Sequence, residues 1–411
     1  MRALALPMLL ALFLAACQTS FTSNPASPEV GKIIIASDMP LGANADYMLP
    51  IQQAIELAIS QHPNIEGFKL EYMPMDDALG NKASEEKGAQ NVKQMIANPR
   101  VLGMIGPANS AVAPTEIQIA NPADLVMLSP TSTNDCVTLS FPFCKPQPGT
   151  LRTSGRNNYF RIASPDSIQG RAMARFAASV LKVKRVAAFS EQQDVGALKL
   201  DKFATEFART GGTVVYRQDF ALGTKDFTAF LMEAAARGAD AIYAVSPSNS
   251  SGACAAQAQM KSGAYFLVDD SMVSDDCIAD ASANSAAMFG TIPDVDLTRS
   301  NDPAAQKVVA LYRKTYPNTS VIDFYTYVFA AYDCTMILIE AITQAVRANH
   351  GAIPTRAQVL DVVAHSQFKG VTGTYSFDAN GDAVSPLMSI YEVRNGKWVY
   401  KQQIDASAAR T

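Results

Sequence analysis

The sequence is poor in the residues that most protein chemistry needs. Histidine occurs three times in 411 residues, as His62, His350 and His365, all far apart. With no C-x-x-C pair and no clustered histidines, the spacing of a metal site is missing. The serine elbow G-x-S-x-G is absent, and no histidine stands near a plausible nucleophile, which argues against Ser–His hydrolysis. G-x-G-x-x-G and a phosphate-cradling lysine motif are also lacking, so nucleotide binding has no recognisable cradle. There is no long basic run: 34 Lys and Arg stand against 38 Asp and Glu, for a formal net charge of −4. That balance disfavours nucleic acid or an anionic membrane surface as partner. The segment Asp378-Ala379-Asn380-Gly381-Asp382 starts like a calcium loop, but its twelfth position is Ser389 rather than Glu, so it reads as a polar turn. No enzymatic activity, metal or cofactor is expected.

What is present begins with an export signal. Arg2 precedes an apolar run from Ala3 to Ala16, shorter than the roughly 20 residues of a membrane span. The run ends Leu14-Ala15-Ala16-Cys17, which resembles a bacterial lipobox. That resemblance implies removal of residues 1–16 and lipidation of Cys17, each buried CH₂ contributing about 0.8 kcal/mol to anchoring. Gln18 follows, so an aspartate-type inner-membrane retention signal is missing. Residues 17–31, rich in Ser, Thr, Pro and Asn between Thr19 and Pro28, read as a flexible tether. No later stretch is read as a bilayer span.

Export permits disulfides. Cys136 and Cys144 flank a proline-bearing loop, and Cys254 and Cys277 bracket a helix-strand unit; both pairs are candidates. Cys334 lies in an apolar helical pattern and reads as a buried thiol.

The length suits two cores rather than one. From Lys32 onward, short apolar runs alternate with helical spacings. Strands are expected at Ile33 to Ala36, Leu70 to Met73, Val101 to Ile105 and Leu125 to Leu128, with helices between. This is the pattern of right-handed βαβ units on a parallel sheet. A Pro, Ser and Gly-rich insert from Thr131 to Asn158 interrupts it, and a second alternating series runs from Tyr159 to Val268. After Gly290 the pattern reads as irregular, then as three helices ending at Ser366. A short strand pair is expected at Gly373 to Phe377 and Met388 to Val393, with a final hairpin turning at Asn395-Gly396.

In this frame several short pieces, in order, resemble one family. They are Asp76-Asp77, Gly106-Pro107 leading to Asn109-Ser110, Ser129-Pro130-Thr131-Ser132-Thr133, Asn158-Tyr159-Phe160-Arg161 before Asp166 and Gln169-Gly170, Gly223 to Phe227, and Gly370 to Gly373 running into Phe377-Asp378. The family is that of the type I periplasmic binding proteins serving branched-chain amino acid ABC transporters, and the resemblance covers Lys32 to about Tyr400. It implies an α/β fold of two Rossmann-like lobes with parallel sheets and three crossovers. Lobe one would be residues 32–160 plus 294–374, and lobe two residues 161–293 plus 375–411. It also implies a monomer that captures a small polar ligand, an amino acid or a relative, for ABC permease subunits. Such a protein would sit in the periplasm, held to the membrane only through its N-terminal lipid.

The resemblance carries ligand roles onto particular residues. Ser110, Thr131, Ser132 and Thr133 would hold a carboxylate from lobe one, where hydroxyls and free N–H groups make an anion pocket. Asp270, in a register uncertain by one against Asp269, would pair with an ammonium from lobe two, with Asp194 in support. Ser246 would line the rim and Phe324 the side-chain pocket. Many relatives carry a tyrosine immediately before Gly196, where this chain has Val195. That departure leaves open a non-amino-acid cargo (an aromatic acid, an amide or an apolar molecule), and the lipobox with Gln18 fits equally an outer-membrane lipoprotein of the same fold that regulates cell-wall synthesis by protein contact.

Overall fold

The structure, a computed structural model, describes residues 31–43, 45–191, 195–246, 252–260, 263–319 and 327–406. The first series builds strands β1 (Lys32–Asp38), β2 (Phe68–Met75), β3 (Val101–Ile105), β4 (Val126–Ser129) and β5 (Tyr159–Arg161), with helices α1 (Ala45–Gln61), α2 (Glu85–Ala97) and α3 (Ala113–Ala120) between them. The strands lie parallel in the order β2-β1-β3-β4-β5, and Asn64–Ile65 adds a short antiparallel edge. Every residue of β3 and β4 is buried, as expected of parallel strands covered on both faces.

The second series supplies α4 (Asp166–Ser179), β6 (Arg185–Ser190), α5 (Val195–Arg209), β7 (Thr213–Asp219), α6 (Thr228–Ala236), β8 (Ala241–Val245), α7 (Ala255–Gln259), β9 (Tyr265–Val268), α8 (Asp275–Ala281) and β10 (Met288–Ile292). The chain then makes α9 (Pro303–Thr315), α10 (Tyr327–Ala348) and α11 (Arg356–His365) before the hairpin β11 (Leu387–Arg394) and β12 (Lys397–Asp405). The second sheet has the order β7-β6-β8-β9-β10-β11-β12, with only the last two strands antiparallel to their neighbours. Helices α10 and α11 return to the first sheet, where α10 packs on α1, β3 and β4. This is the two-lobed α/β fold with three passages of chain between the lobes.

Three details differ from the sequence reading. Met288–Ile292 is a buried strand rather than the start of an irregular stretch. Gly290 within it leaves room for Val273, whose Cγ2 would lie 2.3 Å from an added Cβ, and a glycine inside a strand obscures the apolar pattern. The pairing expected between Gly373–Phe377 and Met388–Val393 is not formed. Thr374–Tyr375 pairs with Phe368–Lys369, while β11 pairs with β10 and β12. Finally, among the described residues one helix, α10, is long and apolar enough to cross a membrane, yet 78% of its apolar window is buried inside the protein. It is a core helix, and its apolarity comes from being covered on nearly every side.

The terminal hairpin turns through Asn395 and Gly396 at φ 52° and 69°, the left-handed values that a two-residue type I′ turn demands. Disulfides join Cys136 to Cys144 and Cys254 to Cys277, while Cys334 is free and buried.

Candidate functional site

Open parallel sheets place ligands outside the carboxyl ends of their strands. In the first lobe those ends carry the loops after β3 and β4, and hydroxyls knit the two together. Ser129 Oγ donates to the Pro107 carbonyl at 2.8 Å and accepts from the Ser132 amide at 3.1 Å. Ser110 Oγ and Ser132 Oγ lie 2.9 Å apart, and the Asn134 amide donates to Ser110 Oγ at 3.3 Å. Thr131 Oγ1 donates to the Ala108 carbonyl at 2.6 Å. The Thr133 carbonyl accepts from the Asp166 amide of the other lobe at 2.9 Å, and its hydroxyl has no partner among the described residues. Ser132 is buried; Ser110, Thr131 and Thr133 are half-buried. Ser110 is not the cap of α3, whose N-cap is Val112; its hydroxyl belongs to the loop cluster instead.

Sequence reasoning gave Arg161 no site role, yet it braces this cluster from behind. Its side chain is fully buried at the first passage between lobes. Nε binds Asp382 at 2.6 Å, Nη1 donates to the carbonyls of Ser132 and Asn134 at 3.1 and 2.8 Å, and Nη2 donates to Thr138 Oγ1 at 2.5 Å. Five donors in a rigid fork suit such a hub. The turn bearing Asp382 also needs Gly381: its φ is +93°, and a Cβ there would sit 2.0 Å from the Tyr159 carbonyl.

In the second lobe the carboxyl ends of β8 and β9 carry Ser246, Asp269 and Asp270. A lysine that sequence reasoning had passed over organises them. Lys199 of α5 is 3% exposed, and its Nζ lies 2.9 Å from Asp166, 2.8 Å from Asp269 and 3.8 Å from Asp270. It also donates to Gln169 at 2.8 Å. Burial works against its charge, but the three carboxylates hold its pKa well above the ordinary lysine value. Burial pushes Asp269 up to about 6, with Lys199 opposing and Asp270 adding to the rise, and it raises Asp166 as well.

The neighbouring acids therefore have different surroundings. Asp269 is buried and also accepts from Ser271 Oγ at 3.0 Å. Asp270 is 17% exposed in its side chain, and its Oδ2 accepts from the Tyr327 hydroxyl of α10 at 3.1 Å. Ser246 is buried, and its carbonyl accepts from Ser271 Oγ. The only sequence signal for Lys199 was a lysine between Leu198 and Leu200 on a helix packed in the core. Cys17, Asp194 and Phe324 lie outside the described residues.

A second acidic group sits deeper in the first lobe. Asp38, Asp77 and Glu116 are each 0% exposed. Asn91 Nδ2 donates to Asp38 Oδ1 at 2.8 Å and to the Asp76 carbonyl at 3.0 Å. Both oxygens of Asp77 and of Glu116 find no hydrogen-bond donor. Burial first, then the Asp38 and Asp77 charges, raises the Glu116 pKa well above the ordinary glutamate value. Burial, then Asp77, pushes Asp38 up to about 8, and burial, then Asp76, pushes Asp77 to about 7. Among the described residues no group of three or more His, Cys, Asp or Glu could hold a metal ion.

Comparison with known proteins agrees with the family read from the sequence. The Leu/Ile/Val-binding protein homolog 1 of Brucella suis biovar 1 (strain 1330) is 23% identical over 376 residues, covering 90% of this chain and 94% of that protein. A leucine binding protein from Thermotoga maritima MSB8 superposes with a TM-score of 0.69 at 25% identity, over 90% of this chain and 98% of that one. A branched-chain amino acid transporter substrate binding protein from Streptococcus pneumoniae, solved with isoleucine, gives 0.70 at 22% identity, over 91% and 99%. The model for the receptor family ligand binding region matches residues 50–396, and the chain belongs to that family.

Proposed function

We propose that this chain is an extracytoplasmic receptor for an amino acid or a close relative, lipid-anchored through Cys17, which delivers its ligand to an ABC permease. The observation that carries the reading is the pairing of opposite chemistries across the two lobes. Hydroxyls and amides of Ser110, Thr131, Ser132 and Thr133 gather at the carboxyl ends of β3 and β4. The partly exposed carboxylate of Asp270 stands at the end of β9. In this reading the first group takes a ligand carboxylate and the second takes its ammonium, with Asp194, Ser246 and Phe324 completing the pocket. A zwitterion touching both lobes favours their closure because it binds that arrangement better. Lobe boundaries at 160/161, 293/294 and 374/375 are part of the same proposal.

Lys199 does not exhaust the acids around it. One ammonium faces three carboxyl groups, two at contact distance and Asp270 at 3.8 Å, so Asp270 is the acid it engages least. Titration calorimetry with L-leucine and L-isoleucine tests the assignment. Removing one partner of a buried charge pair costs about 2–5 kcal/mol, so Asp270→Ala should weaken binding at least tenfold. Ser110→Ala should cost less, about 1–3 kcal/mol. Wild-type affinity in Asp270→Ala would show that no ammonium is held there.

A further inference from the structure

We propose that Tyr327 and Asp270 form a latch that holds the two lobes together directly, independent of any contact through the ligand. It rests on the bond from the Tyr327 hydroxyl to Asp270 Oδ2, 3.1 Å long and spanning residues that belong to different lobes.

The two ends are each fixed to their own body. Tyr327 is the first residue of α10, a helix buried on the first sheet from Val328 through Val346. Its ring is 6% exposed, so the hydroxyl cannot swing free of lobe one. Asp270 follows β9 and opens a short turn closed by Met272, which is fully buried. Immediately before it, Asp269 is clamped by Lys199 at 2.8 Å. The Asp270 carboxylate therefore moves with lobe two. A bond between groups so mounted cannot survive separation of the lobes; opening the cleft must break it.

The chemistry suits a latch. Burial, and then the Asp270 charge, keeps the phenol far above its ordinary pKa, so it remains a proton donor at any physiological pH. The acceptor is a carboxylate, which makes the bond one of the stronger kind. The latch leaves room for a ligand as well. Tyr327 engages Oδ2, while Oδ1 is turned toward Lys199 at 3.8 Å, longer than a normal hydrogen bond. Lys199 is a positioning residue here: it holds Asp269 and Asp166, and through that clamp it aims Asp270 across the cleft.

The test needs no ligand and so stands apart from the identity of the cargo. Solution X-ray scattering and amide hydrogen exchange would be recorded on the full chain and on Tyr327→Phe, Asp270→Ala and the double variant. The latch predicts a larger radius of gyration and faster exchange in segments 127–134 and 265–273 for each single variant. The closed-to-open ratio should fall by about tenfold or more, the factor carried by a hydrogen bond to a charged group. The double variant should open no further than the singles, because both remove the same bond. Unchanged scattering and exchange in Tyr327→Phe would overturn the proposal, as would additive opening in the double variant. Tyr327→Phe keeps the buried ring. Should it nevertheless fail to fold, Asp270→Ala reads the same bond from the other side, and wild-type closure in that variant overturns the latch equally.

Discussion

Glutamate-to-glutamine substitution at position 116 should make the protein more stable in mild alkali. Glu116 is buried with Asp38 and Asp77, and neither of its carboxyl oxygens meets a hydrogen-bond donor among the described residues. Burial first, then Asp38, raises its pKa well above the ordinary glutamate value, and the pKa values of Asp38 and Asp77 rise from 3.8 to about 8 and about 7. A carboxyl whose pKa is higher folded than unfolded takes up a proton on folding. The stability it confers is fully present below the unfolded value and is lost as pH climbs through the folded value. The window here therefore runs from near 4 to near 8. Each retained proton gives a slope of about 1.4 kcal/mol per pH unit, so one such group accounts for about 3 kcal/mol between pH 5 and pH 7. Glutamine has the same shape, cannot ionise and can donate to Asp38. Glu116→Gln should leave stability at pH 5 nearly unchanged and raise it by about 1–3 kcal/mol at pH 8. Urea unfolding midpoints from pH 5 to 8.5 measure both curves. A wild-type curve flat across that range, or parallel curves for the two proteins, would refute the idea that this cluster carries protons.

Arg161→Ala should destabilise by about 3–5 kcal/mol, because it leaves Asp382 as an unpaired buried charge, and thermal melts should show the loss. Its effect on L-leucine affinity should exceed that of an equally destabilising substitution remote from the loop, since the carbonyls of Ser132 and Asn134 lose their brace. Cys17→Ser should release the protein from the detergent phase on phase separation; a serine variant that still partitions as wild type does would exclude the lipid anchor.

The sequence by itself determined the architecture. Continuous apolar runs such as Val101–Ile105 and Ala241–Val245 emerge as strands with those bounds, because a strand buried on both faces carries its signal in every residue. Asn395-Gly396 likewise marked its turn through local backbone preference alone. Met288–Ile292 did not announce itself, since its glycine is explained by tertiary packing, above all of Val273 from the turn after β9. The loops of the candidate site were placed by their position after strands. What they touch was decided by tertiary structure. No spacing rule connects Lys199 to Asp269, 70 residues away, Tyr327 to Asp270, 57 residues away, or Arg161 to Asp382, 221 residues away. A buried charge is tolerated only where the fold brings it a partner. In the sequence Lys199, Tyr327 and Asp382 read as ordinary helix and turn positions, and only the closing together of two sheets and their crossovers gave them partners.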